Sequence, residues 1–266
     1  MDTDTAPIRS VPPPVPAAAP APRAPLRTAA RVLGELLVTA GVVLLLFVVY
    51  ELWVTDWFAA RDQQALDQQV HRAWSARGTP GVDPTSVPVG TGFAVLRIPR
   101  LGADFSRVVV EGSGQDELAQ GPGHYVGTAL PGQPGNVAIA GHRVGKGSPF
   151  LDLDLLQPGD AVVVETQNDW FTYRVLGDAA TGDFGTDPSG IPGREVVLPT
   201  DVDVIAPTPD AAGSVPSGQY LTLTTCHPKF SARQRLIIHA VLDGAPVPKA
   251  TAPDGPPALT GAQEGR

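Results

Sequence analysis

The amino-acid sequence predicts an all-β domain over residues 91–244, built as a barrel or a sandwich of short strands. Short apolar runs recur along this region, and turns rich in glycine and proline separate them. No run has the length and spacing of an amphipathic helix, and repeated short strands with such turns are typical of β-barrels and sandwiches. The predicted strands cover residues 93–98, 107–110, 137–140, 161–165, 170–176, 195–198, 202–205, 220–225 and 235–242. Two short helical turns are predicted near residues 115–120 and 149–156.

The N-terminal part of the chain predicts a membrane anchor. Residues 1–31 form a tail whose first 25 residues are rich in proline and alanine, a composition typical of disorder. The anchor is placed at residues 32–57, because residues 36–54 are apolar except for Thr39 and Glu51. Nineteen helical residues span about 29 Å, enough to cross the hydrocarbon core of a bilayer.

Charge around this apolar segment predicts its orientation. Four arginines precede it, against Asp2, Asp4 and Glu35, whereas Glu51 and Asp56 lie at its far end. The positive-inside rule then places the N-terminus in the cytoplasm and the chain after Trp57 outside the cell membrane, as a single-pass protein. A cleaved signal peptide is the alternative, and the length of the run and the absence of a small-x-small cleavage site weaken it.

Two further segments flank the predicted domain. Residues 58–90 are predicted as a juxtamembrane helix and linker, since residues 59–76 favour a helix and residues 78–90 are broken by glycine and proline. Leu66, Val70 and Trp74 form a thin apolar stripe, which indicates a polar stalk that stays outside the core. The composition of residues 245–266 predicts a disordered C-terminal tail.

Charge and motif content exclude several classes of function. The formal net charge of −8 belongs entirely to residues 55–266, since residues 1–54 carry four arginines and four acids. Nucleic-acid binding needs clustered basic residues, so such a partner is not expected. The five histidines are dispersed, with no His-x-x-x-His or Cys-x-x-Cys pair, and we expect neither a metal nor a cofactor.

The single cysteine, Cys226, is the first candidate for chemistry. It ends a strand-like run that starts at residue 220, and Arg235 follows nine residues later at the head of another run. A free thiol is a liability in an exported chain, because it oxidises and cross-links without adding stability. Cys226 is therefore either a catalytic nucleophile or a small buried hydrophobic residue.

A cysteine nucleophile requires a base and a donor for the oxyanion. An unperturbed thiol, with a pKa of about 8.5, is only a few per cent ionised at neutral pH. Arg235 keeps its proton, so it serves only as a hydrogen-bond donor and a positive charge. The acid–base group must then be a histidine. His142 lies in a glycine-rich segment and His239 shares a strand face with Arg235, and the residues alone do not choose between them.

The motifs resemble those of the sortases, which are cysteine transpeptidases of the Gram-positive cell surface. Thr222-Leu-Thr-Thr-Cys226 followed by Arg235 is similar to their Thr-Leu-x-Thr-Cys…Arg signature. Residues 123–128, 131–136 and 139–143 resemble the segment that ends in the catalytic histidine. The motifs follow the family order across residues 93–242. The segments Cys226-His-Pro-Lys-Phe and Gly-His-Tyr look most like class E sortases of actinobacteria.

The resemblance implies a closed antiparallel β-barrel of about eight strands as the catalytic domain, residues 91–244. It implies that Cys226, His142 and Arg235 are catalytic and that His239 has a structural role. It also implies that Thr225 helps to bind substrate or to form the oxyanion site, and that Tyr125 shapes substrate selection. The expected partners are surface proteins with a sorting signal similar to Leu-Ala-x-Thr-Gly or Leu-Pro-x-Thr-Gly, and a peptidoglycan amine. Housekeeping anchoring is favoured over pilus assembly.

Three other functions compete with this interpretation. A cysteine L,D-transpeptidase carries a Ser-x-Gly-Cys motif, and the segment Thr224-Thr-Cys226 lacks its glycine. A cell-wall cysteine hydrolase would resolve the acyl-enzyme with water in place of an amine. A membrane-tethered β-domain without catalytic activity would keep Cys226 buried and unreactive.

Overall fold

The computed structural model describes residues 25–50, 55–76, 87–185 and 187–260, and divides into two units, Met1–Val48 and Val49–Arg266. Helix α1 (Pro25–Val49) forms the described part of the first unit and runs one residue into the second. Among the described residues, Thr28–Val49 is the one helical stretch long and apolar enough to cross a membrane. The predicted disorder up to residue 31 is wrong from Pro25 onward. The predictions for residues 1–24 and 51–54 lie outside the described residues.

The described part of the second unit contains eight strands of four or more residues, two strands of two residues, and three helices. The strands are β1 (Gly92–Arg97), β2 (Ser106–Glu111), β3 (Gly123–His124), β4 (Gly135–Ala140), β5 (Ala161–Glu165), β6 (Asp169–Val175), β7 (Arg194–Val197), β8 (Gln219–His227), β9 (Gln234–Leu242) and β10 (Val247–Pro248). The helices are α2 (Thr55–Ser75), α3 (Gln115–Gln120) and α4 (Pro257–Thr260). Short 3-10 turns cover Pro99–Leu101, Leu153–Leu155 and Val202–Ile205.

The strands close into a barrel, as the sequence predicts. Their order is β10-β6-β5-β1-β2-β3-β4-β8-β9-β7, and an additional pairing of β6 with β9 closes the sheet. Most pairings are antiparallel, but β2 runs parallel to β3 and β4 runs parallel to β8. A parallel pair needs a long crossover, and strands β5 to β7 lie between β4 and β8 in the chain. This crossover brings the ends of β4 and β8 to the same edge of the barrel.

Alternation along the strands separates the core from the face that carries the site. Leu221 and Leu223 of β8 are fully buried in the main apolar core, as is Ile238 of β9. Burial of one such side chain stabilises the fold by about 1.5–3 kcal/mol. Thr222 and Thr224 point to the opposite face of the same strand, because successive side chains alternate. The period of two therefore fixes which residues reach the outer face.

Two sequence-based expectations about these elements are wrong. Residues 202–205 form a 3-10 turn and no strand, and the Val204 carbonyl accepts a hydrogen bond from Asn136 Nδ2 at 3.3 Å. Helix α2 is no detached stalk, because Val70 is buried against Val95 and Val108 of the barrel. A run of four residues with three apolar members, and three apolar positions on a helix, were too short a pattern to reveal these contacts.

The predicted disorder of residues 245–266 is also wrong as far as residue 260. Strand β10 pairs with β6, with Val247 opposite Trp170. The Trp170 indole N–H donates to the Ala252 carbonyl at 2.9 Å, and the Lys249 ammonium lies 2.7 Å from Glu165 Oε1. Proline and glycine here shape a segment that packs on the barrel. Residues 261–266 lie outside the described part of the chain.

Candidate active site

The ends of three adjacent strands bring His142, Cys226 and Arg235 to one level of the barrel. Cys226 of β8 pairs directly with Arg235 of β9. On the other side of β8, Ala140 of β4 pairs with Thr224, and the Gly141 N–H donates to the Thr224 carbonyl at 3.0 Å. The next residue, His142, therefore lies level with Cys226. Neighbouring strands are about 4.8 Å apart, so the three residues form a single row.

Cys226 is a half-buried free thiol in this row. It lies on the outer face of β8 with Thr222 and Thr224, opposite the core-facing leucines. A buried structural cysteine would sit among the core residues. The position of Cys226 at the open end of the strand fits an accessible nucleophile better.

His142 is half-buried at the start of the loop that follows β4. Within the described residues its Nε2 is buried and has no hydrogen-bond partner. Burial, and secondly the positive charge of Lys146, hold the pKa of His142 below its usual value. A buried polar atom without a partner costs free energy, so its presence in a native fold requires an explanation, and a catalytic role is one.

Arg235 is held by the turn between β8 and β9. Its Nη1 donates to the carbonyls of Ala232 and Gln234, each at 3.0 Å. Both acceptors belong to the turn itself, so the guanidinium is fixed beside Cys226 without an acidic partner within the described residues. A fixed cation next to the thiol can stabilise negative charge that develops during a reaction.

A comparison with known proteins identifies the family. Residues 96–243 match the model of the sortase domain. The chain belongs to the sortase family. It is 37% identical over 218 residues to Sortase SrtE1 of Streptomyces coelicolor, which covers 79% of this chain and 56% of SrtE1. It is 33% identical over 232 residues to Sortase SrtE2 of the same organism, covering 81% of this chain and 84% of SrtE2.

Solved sortase structures share this fold. The SrtF sortase from Corynebacterium diphtheriae superposes with a TM-score of 0.60 and 38% identity, over 68% of this chain and 97% of that one. Sortase E from Streptomyces avermitilis gives a TM-score of 0.53 and 40% identity, over 65% of this chain and 99% of that one. Within the sortase family the chain is most like class E. It spans only 56% of the length of SrtE1.

Arg143, next to His142, ties the loop after β4 to the end of β8. Its side chain is 3% exposed. Nη1 donates to His227 Nδ1 at 3.1 Å and to the Cys226 carbonyl at 3.4 Å, and Nη2 lies 2.9 Å from Asp154 Oδ1. Arg143 thus holds the loop that follows β4 and carries His142 (the histidine loop) to the end of β8, which carries Cys226 (the cysteine strand). The sequence shows only that an arginine follows a histidine, so this contact could not be predicted from it.

Gly141 explains how the histidine loop packs so closely. A Cβ at this position would lie 2.5 Å from the Phe150 ring, which is fully buried in the core. Any side chain would push the loop off Phe150 or displace the ring. The glycine before His142 is therefore required for close packing, and it keeps His142 level with Cys226.

The two predicted substrate-binding residues occupy different faces of the sortase barrel. The Tyr125 hydroxyl lies 2.9 Å from Thr224 Oγ1, on the outer face that also carries Cys226. Thr225 lies on the opposite face, is buried, and donates its hydroxyl to the Gly141 carbonyl at 2.8 Å. A role of Thr225 in binding substrate or in forming the oxyanion site stays a prediction. In the structure its hydroxyl joins β8 to the loop that carries His142.

His239 lies away from the row. It pairs with Thr222, four residues from Arg235 along β9, a distance of roughly 13 Å. The side chain is fully buried, with Nδ1 2.8 Å from Thr222 Oγ1 and Nε2 3.1 Å from Glu195 Oε1. Both ring nitrogens are used inside the fold. The structure therefore brings His142, and not His239, level with Cys226.

Proposed function

We propose that this chain is a membrane-anchored extracellular cysteine transpeptidase. It cleaves a C-terminal sorting signal similar to Leu-Ala-x-Thr-Gly or Leu-Pro-x-Thr-Gly between threonine and glycine. It then joins the threonine carboxyl to a peptidoglycan amine, with residues 91–244 as the catalytic domain. The observation that carries this proposal is the row of His142, Cys226 and Arg235 across three strand ends.

The first half of the reaction forms a thioester. The Cys226 thiolate attacks the threonine carbonyl, and Arg235 donates to the oxyanion of the tetrahedral intermediate. Loss of one such donor typically costs about 3–4 kcal/mol, or about 100- to 1,000-fold in rate. When the carbon–nitrogen bond breaks, the His142 imidazolium gives its proton to the glycine amine that leaves. The unpartnered Nε2 of His142 supports this role, because no internal hydrogen bond has to be broken first.

The second half resolves the thioester with an amine. The incoming amine attacks the carbonyl carbon, and neutral His142 takes the proton that the amine loses. The thiolate of Cys226 then leaves, and His142 is again an imidazolium. One histidine serves as acid and then as base, so the proton balance closes over a full cycle.

Three neighbouring residues position this machinery. Arg143 holds the cysteine strand against the histidine loop through the Cys226 carbonyl and His227. Thr225 supports the same loop through the Gly141 carbonyl. Tyr125 lines the outer face beside Thr224, where it would contact the signal peptide before the scissile bond.

Helix α1 supports the proposed location at the cell surface. Basic residues precede the apolar stretch Thr28–Val49, so the N-terminus would be cytoplasmic and the catalytic domain outside. Protease added to intact protoplasts should then remove the catalytic domain. Full protection of the domain would contradict the orientation and leave surface proteins out of reach.

A peptide assay tests the proposed activity. The full-length chain in detergent micelles is incubated with Leu-Ala-x-Thr-Gly or Leu-Pro-x-Thr-Gly peptides and an amine, and products are read by mass spectrometry. We expect an amide of the threonine carboxyl with the added amine, and none from Cys226→Ala, whose thermal unfolding should be nearly unchanged. Product from the alanine variant would contradict the mechanism. Hydrolysis alone, at saturating amine, would instead indicate a hydrolase.

A further inference from the structure

A second polar cluster lies on the outer face, away from Cys226. It joins Glu195 of β7, Asp210 of the connection between β7 and β8, and His239 of β9. One nitrogen or oxygen from each side chain lies within 4.8 Å of the corresponding atom of the other two. Three separate segments of the chain therefore converge on one point, and the proposed transpeptidation uses none of the three side chains.

The hydrogen bonds around His239 leave one nitrogen facing the carboxylates. Asn136 Nδ2 donates to two backbone carbonyls, so its Oδ1 is the acceptor for the Thr222 hydroxyl at 2.9 Å. Thr222 uses its proton in this bond and must accept from His239 Nδ1, which lies 2.8 Å away. Nδ1 therefore carries a proton, and Nε2 faces Glu195 Oε1 at 3.1 Å. A histidine whose second nitrogen is fixed in this way is oriented as metal ligands are.

The charge of the cluster favours a cation. Glu195 and Asp210 place two carboxyl groups within 4.8 Å of each other and of a ring nitrogen of His239. Two carboxyl groups in contact need a shared proton or a cation between them. His239 is fully buried, so a cation from solvent cannot reach the cluster from the side of His239. The cluster therefore holds either protons or a metal ion.

The spacing and the ligand types indicate which ion. Nitrogen and oxygen ligands of zinc lie about 2.0–2.2 Å from the metal, so two atoms 3.1 Å apart can both bind one ion. An imidazole together with two carboxylates suits zinc and similar transition ions, whereas calcium prefers oxygen ligands alone. The separations within the cluster require shifts of less than about 1 Å to close on such an ion.

We propose that Glu195, Asp210 and His239 Nε2 bind one divalent transition ion of the zinc type. The ion fixes the connection between β7 and β8, through Asp210, to strands β7 and β9. The same connection contains the turn Val202–Ile205, whose Val204 carbonyl lies within hydrogen-bond distance of Thr222 on the cysteine strand. The proposed ion has a structural role, and none of its ligands belongs to the row of His142, Cys226 and Arg235.

Zinc binding to the full-length chain in detergent micelles tests this proposal. The titration uses an untagged chain with Cys226→Ala, so that the reactive thiol cannot bind zinc itself, after treatment with a chelator. Isothermal titration and thermal unfolding are measured with ZnCl₂ and with CaCl₂. Asp210→Asn removes one ligand charge at an exposed position, and Asp104→Asn is the matched control in the turn before β2, outside the cluster.

We expect one zinc ion per chain and a higher unfolding temperature with zinc, with little effect of calcium. Asp210→Asn should weaken zinc binding at least about tenfold, and Asp104→Asn should leave it unchanged. His239→Gln should abolish the effect of zinc on unfolding while the chain still unfolds cooperatively. The proposal is overturned if the chain binds no zinc, if calcium binds as well as zinc, or if Asp210→Asn and Asp104→Asn bind zinc equally.

Discussion

A histidine lies at each end of the β8–β9 pair, and the two histidines differ in their burial and in their hydrogen bonds. At one end, Cys226 pairs with Arg235 beside His142, and at the other end Thr222 pairs with His239. His239 is fully buried and uses both ring nitrogens. His142 is half-buried, and its Nε2 has no partner within residues 87–185 and 187–260.

This difference separates a histidine that holds the fold from one that is free to react. A satisfied imidazole stabilises its surroundings, and its hydrogen bonds would have to be broken before it could move a proton. An unsatisfied imidazole costs stability but is ready to engage a substrate. The same argument applies to Arg235, whose contacts are carbonyls of its own turn, which leave its charge uncompensated.

Loss of Arg235 should have the largest effect at the reactive end. Arg235→Ala removes the donor to the oxyanion, so we expect turnover of the sorting peptide to fall about 100- to 1,000-fold. Arg233→Ala, in the same turn, is the matched control and should keep most activity. Turnover is measured by mass spectrometry at saturating peptide and amine. Similar losses in both variants would indicate a damaged turn, not a lost oxyanion donor.

Substitution of His142 and of His239 tests whether His142 alone serves as the acid–base residue. His142→Ala removes the acid–base group and should lower turnover at least about 100-fold, with a nearly unchanged unfolding temperature. His239→Gln should keep most of the turnover and lose stability, because it disrupts buried hydrogen bonds. Kinetics and thermal unfolding are measured on both chains. Equal losses of turnover in two folded variants would show that His142 is not the sole acid–base residue.

The charge of Lys146 should set part of the pH profile. Lys146 lowers the pKa of His142, so Lys146→Gln should raise that pKa toward its ordinary value. The imidazolium is the acid, so activity declines as pH rises through the pKa of His142. This alkaline limb of kcat/KM should therefore move to higher pH in Lys146→Gln and stay in place in Arg233→Gln. No movement, or movement to lower pH, would contradict His142 as the acid.

The smallest effect is expected at Tyr125. Tyr125→Phe removes the hydroxyl that lies 2.9 Å from Thr224 Oγ1 and keeps the ring. Loss of one such hydrogen bond costs roughly 0.5–1.5 kcal/mol, so we expect a change of about twofold to tenfold. The change should appear in KM for the sorting peptide and leave kcat intact. A large fall in kcat would place Tyr125 in the chemistry of the row.

Local patterns of the sequence predicted an all-β barrel or sandwich, and the family resemblance added its closure and the position of Arg235 on the strand next to Cys226. Cys226 and Arg235 lie at the facing ends of two strands joined by a short turn, so their pairing follows from chain proximity. The period of two also placed His239 on the face of Arg235 correctly. That face is the outer one, opposite the core.

Contacts between distant segments could not be predicted from the residues alone. The choice of His142 depends on the parallel pairing of β4 with β8, about 80 residues apart, and only the family resemblance supplied it. The burial of Val70 and the bond from Trp170 to Ala252 likewise join segments of ordinary or disorder-like composition to the barrel. The contacts of Arg143 show no pattern in the sequence, because its partners lie in two distant segments, the end of β8 and the turn that contains Asp154.

Detection of the acyl-enzyme tests most directly whether Cys226 is the nucleophile in the row of His142, Cys226 and Arg235. The full-length chain is incubated with a Leu-Ala-x-Thr-Gly peptide without an amine, quenched in acid, and analysed by intact-mass and peptide-mapping mass spectrometry. We expect a single adduct that ends at the threonine carboxyl, bound to Cys226 and released by hydroxylamine. An adduct on another residue, or cleavage of the peptide by the Cys226→Ala chain, would contradict it.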